Sequence, residues 1–171
     1  MTFNRVFQTW LFLTTLFFVF SCIDLGFEYA QPYGRNNVSG IPDKWKGTYI
    51  LEEDTIVISD NFINSLKDSL AFSDKDSLLI RKYKGWYYLN IKKSTRSYWT
   101  VLCLRERGQS LWVLTPEIES EDSIELKPFG MRIENNNDGS IQSFVIDPKI
   151  TDWKKLLKSN FFSSYELRRV K

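Results

Sequence analysis

The sequence contains no histidine. Histidine is the usual general base near neutral pH and the commonest metal ligand. Its absence excludes Ser-His-Asp and Cys-His catalysis within the chain, and every zinc site built on imidazole. Cysteine is scarce too: Cys22 and Cys103 are the two present, too few for a Cys₄ centre. No Ser-x-x-Lys occurs, which removes a further nucleophile pattern. The charges carry no strong excess of one sign, with 23 Lys+Arg against 21 Asp+Glu, and Arg5 is the only one before Cys22. Nucleic-acid binding needs a clustered basic face, so no nucleic-acid partner is expected. No cofactor is expected either. Carboxylates are plentiful, so a carboxylate-dependent hydrolase is the catalytic class left open, although the sequence pairs no two of them.

Apolar residues make up 43% of the 171 residues and aromatics 16%, enough to fill the core of one ordinary domain. The chain opens with one basic residue, Arg5, and an apolar run from Val6 to Phe20. That run of about fifteen residues has the length of an export signal, whereas a spanning helix needs about 20. It ends in Val19-Phe20-Ser21-Cys22.

From Trp45 the pattern alternates with period two: Trp45, Gly47, Tyr49 and Leu51 fall on one side, Lys46, Thr48 and Glu52 on the other. Strands are expected over 55–59, 78–83, 86–92, 98–105, 111–115, 131–134, 141–146 and 165–170, separated by turn residues such as Lys84-Gly85, Gly108 and Asn135-Asn136-Asn137-Asp138-Gly139. Residues 61–70 read as a strand or a helical turn. Residues 151–159 read as a helix, capped by Thr151, with Trp153, Leu156 and Leu157 forming its apolar face. That face would pack on the sheet or plug an open end. The expected fold is mainly β: an antiparallel meander forming a barrel or a sandwich, with one C-terminal helix before a last strand. Residues 1–21 are expected to be a signal peptide, 22–43 an extended tether rich in Gly and Pro, and 44–171 a single β-rich domain.

The Val19–Cys22 motif resembles the lipobox of bacterial lipoproteins. In that family the cysteine receives a diacylglycerol and becomes the new N-terminus. The resemblance makes Cys22 the lipid-attachment site; cleavage with release, or retention as an uncleaved membrane anchor, are the alternatives. Further along, Gln31-Pro32, Pro42, Gly47-Thr48-Tyr49, Trp86-Tyr87-Tyr88-Leu89-Asn90 and Asp147-Pro148 resemble the motifs of small lipoproteins of the Bacteroidetes. This implies a cell-envelope protein, lipid-anchored to a membrane, with the outer membrane of a Gram-negative bacterium as the expected residence. It brings no catalytic residues. Gly47-Thr48-Tyr49 with a late Arg168 or Arg169 also resembles lipocalins, with Tyr49 where that family has Trp. That resemblance implies an open-ended barrel with a small apolar ligand; simple strand packing would use the same two residues.

Among candidate sites, Glu117, Glu119, Glu121, Asp122 and Glu125 could attract a cation but lack the ligand spacing of a calcium loop and read as a solvated segment. The Asn136–Gly139 stretch reads as a turn. Cys103 shares a strand face with Trp99 and Val101 and reads as a buried, inert thiol. Trp86, Tyr87, Tyr88, Tyr98, Trp99 and Trp112 either pack the sheet or offer a stacking platform. The functional expectation is a non-enzymatic module that binds a small apolar ligand or another envelope protein.

Overall fold

The computed structural model describes residues 23–52, 54–59, 63–65 and 77–170. Their strands are β1 (Asp24–Phe27), β2 (Asn37–Val38), β3 (Gly47–Leu51), β4 (Asp54–Ile58), β5 (Ile63–Ser65), β6 (Ser77–Tyr83), β7 (Trp86–Lys92), β8 (Thr100–Arg107), β9 (Ser110–Pro116), β10 (Arg132–Asn135), β11 (Ile141–Ile146) and β12 (Phe162–Arg169). Two single-turn helices, α1 (Ser123–Leu126) and α2 (Trp153–Leu156), and short 3-10 turns complete them.

Local chemistry sets the hairpins. Lys84 and Gly85 both take positive φ, 48° and 79°, the pairing that suits a two-residue turn between twisted strands, and they join Tyr83 to its partner Trp86. Gly108, at φ 62°, does the same work between β8 and β9. In the β10–β11 turn the Asp138 carboxylate accepts from the Ser140 N–H at 2.9 Å and from its hydroxyl at 2.6 Å. The serine hydroxyl holds that carboxyl below its ordinary pKa.

The main sheet has nine strands in the order β2-β6-β7-β8-β9-β12-β3-β4-β5. It is antiparallel throughout, and its last strand, β12, lies between β9 and β3, with Arg169 opposite Tyr49. One apolar cluster draws Tyr49, Ile58, Ile80, Leu89, Leu102, Val113 and Leu167 from across this width. A flat sheet would hold such residues tens of ångströms apart, at about 4.8 Å per strand, so the sheet curls around them. It does not close. Among the described residues β5 and β6 do not pair with each other, and β2 occupies part of the β6 edge, with Val38 opposite Ile80.

On the outer face lies a second sheet, β1-β11-β10, which makes the architecture sandwich-like. It covers a second cluster that includes Phe27, Tyr88, Val101, Cys103, Phe144, Trp153 and Leu156. Unlike the rest, β1 and β11 run parallel.

Here the expectation of a tether is corrected. Ile23, Leu25 and Phe27 are buried, and Phe27 bridges Trp99 through two backbone hydrogen bonds of 2.8 Å. Three apolar residues at period two form a strand face, and burying each contributes about 1.5–3 kcal/mol, enough to hold the segment down. The chain then rounds the β6 edge, so that Ile41 and Trp45 enter the inner cluster. The helix near the C-terminus is also shorter than 151–159. Asp152 rather than Thr151 precedes its first turn, and the Asp152 carboxylate accepts from the Lys149 N–H at 3.1 Å. Trp153 and Leu156 pack on the outer face of the large sheet. Of residues 61–70, Ile63–Ser65 form a strand and the others lie outside the described residues.

Candidate functional site

Strand alternation decides which aromatics meet. Tyr87 points inward, its ring 4.5 Å from Trp45 in an edge arrangement. Trp86 and Tyr88 belong to the other face. There Trp153, carried in by α2, meets the Tyr88 edge at 5.3 Å and stacks on Phe27 at 5.6 Å, with 17° between the ring planes. Trp86, Tyr88 and Trp153 wall a cleft of about 530 Å³, with Tyr83, Leu114 and Leu157 also lining it and Lys84 and Lys158 on its wall. The Lys84 ammonium lies 5.2 Å from the Tyr83 ring centre. Volume and lining suit a small, mainly apolar molecule, and the two lysines can meet an acidic group on it.

A buried polar lock stands behind this wall. Gln31 and Asn90 have no solvent exposure. The Gln31 N–H donates to Asn90 Oδ1, and Asn90 Nδ2 donates back to the Gln31 carbonyl at 2.8 Å. The indole N–H of Trp153 donates to Gln31 Oε1 at 3.0 Å, which fixes the tryptophan against the sheet. Arg81 binds the carbonyls of Ala30 and Pro32, the latter at 3.1 Å, and clamps the same loop from outside. The Tyr88 phenol, in contact with Trp153, is held neutral by burial, which pushes its pKa up.

The six aromatics therefore do not form one platform. Trp86 and Tyr88 join the cleft, Tyr87 fills the inner core, and Trp112 lies under the Arg107 guanidinium at 4.7 Å. Tyr98 is buried and donates to Asp24 Oδ2 at 3.1 Å, while Trp99 backs β1. From the sequence Trp153 belongs to a packing face, and Asn90 enters only as the end of the Trp86–Asn90 motif. The signal was there: an uncharged amide on the same strand face as Trp86 and Tyr88, where the core excludes water.

Arg169 is the late arginine that meets Tyr49. Its guanidinium carbon lies 6.0 Å from the ring centre, and it donates to the Lys44 carbonyl at 3.3 Å and the Lys46 carbonyl at 2.5 Å, closing the 3-10 turn Asp43–Trp45. Gly47, at φ 142°, leaves the room: a Cβ there would come within 3.2 Å of the guanidinium. Arg168 points away, 3.8 Å from Glu166.

Cys103 is fully buried and free, and burial raises its thiol pKa, so it stays protonated. Glu117 accepts from the Ser163 hydroxyl, and Asp122 accepts from the Glu119 N–H at 2.8 Å, so two of the five acidic residues serve local structure. No group of three or more metal-ligating side chains is gathered among the described residues. Cys22 lies outside the described residues. Compared with models of protein families, with curated proteins and with solved structures, the chain matches none.

Proposed function

We propose that this chain is a non-enzymatic binding module of the bacterial cell envelope, held to a membrane by lipid on Cys22, whose aromatic cleft takes a small apolar ligand. The observation that carries the reading is the cleft between α2 and the outer face of β6 and β7, with Trp86, Tyr88 and Trp153 on its walls. Aromatic rings bury much area without long flexible chains, so they bind at low entropic loss. The Gln31–Asn90 lock holds Trp153 in place before any ligand arrives. Such preorganisation favours affinity. An acidic group on the ligand would be met by Lys84 and Lys158.

Support for the envelope comes from the sequence: the apolar Val6–Phe20 run and the lipobox-like ending at Cys22. The outer membrane of a Gram-negative bacterium is the residence this reading takes. The lipocalin resemblance meets Arg169 over Tyr49 but not its barrel: the sheet stays open, its inner face is packed, and the cleft lies on the outer face.

The test is a tryptophan-fluorescence titration against medium-chain fatty acids and aromatic carboxylates. Saturable changes are expected for at least one of them, and Trp86→Ala should weaken that binding roughly tenfold or more, the loss of about 1.4 kcal/mol of contact. A response unchanged by Trp86→Ala would move the site away from the cleft. No response to any of these probes would favour an envelope protein as the occupant.

A further inference from the structure

The packing of the first described residues has a consequence for how an anchored domain would sit. Ile23 follows Cys22 directly, is buried, and forms a β-bridge with Ile118. Consecutive Cα atoms are about 3.8 Å apart, so acyl chains on Cys22 would start within one residue of the packed body. A free spacer over 22–43 could instead hold the body up to about 70 Å away, at roughly 3.3 Å per residue. The polar headgroup layer on each side of the hydrocarbon is only about 5–8 Å thick. A body that begins this close to the glycerol must touch it.

The fold also says which end touches. Strand β9 runs from Ser110 to Pro116, and Ile118 lies just beyond its finish. The Gly108-Gln109 turn lies before its start, about 30 Å away at 3.4 Å per residue. Asp24 pairs with Ser143 near the start of β11 and with Arg96 in the β7–β8 loop, so these connections ring the start of β1. Six residues after Ile118, Ile124 is the most exposed large apolar side chain among the described residues, at 72%. Its neighbours Glu117, Glu119, Glu121, Asp122 and Glu125 come with no lysine or arginine between 117 and 126. An anionic lipid surface would repel that segment, and a zwitterionic one would accept it.

We propose that the anchored domain lies flush on a zwitterionic bilayer, with the Ile118–Ile124 segment against the headgroups and the β8–β9 turn pointing away. Trp86 begins β7 at the same end as that turn, so the mouth of the cleft near Lys84 and Trp86 faces the aqueous side. The proposal rests on the lipid anchor of the previous section.

The experiment uses the full chain expressed in a Gram-negative host, purified from membranes and reconstituted in phosphatidylcholine vesicles carrying a nitroxide headgroup. With Cys22 acylated and Cys103 buried, Ile124→Cys or Gln109→Cys supplies the only reactive thiol for a fluorescent label. Quenching at position 124 should exceed that at 109 several-fold. A ten-residue Gly/Ser insertion between Cys22 and Ile23 should bring 124 down to the level of 109. Replacing a third of the lipid with phosphatidylglycerol should reduce quenching at 124. Equal quenching at the two positions, in protein whose mass includes acyl chains, overturns the flush geometry and leaves the anchor standing. A mass without acyl chains overturns the anchor, and the flush geometry with it.

Discussion

Asn90 shows how one side chain can tie three segments together. Its amide pairs with both backbone groups of Gln31 and also reaches the carbonyl of Leu79 at 3.2 Å, all in a site closed to water. Leucine has the same forked outline, somewhat bulkier, but none of its hydrogen bonds. Asn90→Leu should therefore orphan the Gln31 N–H and C=O at about 1–3 kcal/mol per group, seen as a lower urea midpoint at unchanged m-value. It should also loosen Trp153, which leans on Gln31, and weaken binding in the cleft. Gly26 is constrained from the opposite direction: a Cβ there would meet the Tyr98 ring at 2.4 Å. The sequence displayed both residues, but neither composition nor period reveals that a loop and a ring close over them.

Among the elements, β1 and β2 fall inside the stretch 22–43 that reads as a tether. Gly26, Pro32, Gly34, Gly40 and Pro42 suggest a spacer, whereas Ile23, Leu25 and Phe27 fall at period two and are buried. Four residues cannot make a stable strand alone, because the backbone entropy of ordering them exceeds what a short ladder returns. What holds β1 is β11 on one side and the outer cluster beneath. Phe27→Ala separates the two accounts. In a tether it would leave stability unchanged; here it should lower it by about 3–5 kcal/mol, read by urea or thermal unfolding. By contrast, β6 through β9 were legible within a residue or two. Each hairpin has its own turn chemistry, and each strand its own alternation. The α2 turn was legible as an apolar face but overextended, since a helix this short is set by the packing of Trp153 and Leu156 rather than by propensity.

For the molecule as a whole, the absence of histidine and the burial of tyrosines predict its response to pH. No side chain has its ordinary pKa between about 5 and 8, so stability should be flat from pH 6 to 8. Burial pushes Tyr98 up to about 12 and raises Tyr88 and Cys103 as well. Below the ordinary thiol and phenol values, about 8.5 and 10, these groups are neutral folded or unfolded, and their contribution is intact. Above them the unfolded chain loses protons that the folded chain keeps, so stability falls as pH rises toward 12. The urea midpoint at pH 11 should lie clearly below that at pH 8, and an unchanged midpoint would contradict the burial of these groups.

By itself the sequence determined the class of fold, because period-two alternation and turn residues are local signals that each strand carries independently. It also determined which chemistries are closed to the chain, because a missing side chain is missing in every conformation. Only the tertiary structure decided that Ile23–Phe27 belongs to the body, that the sheet curls without closing, and that Trp86, Tyr88 and Trp153 share one cleft. Those outcomes depend on contacts between residues as far apart as Gln31 and Trp153, and no local pattern encodes which distant surface will exclude water from another.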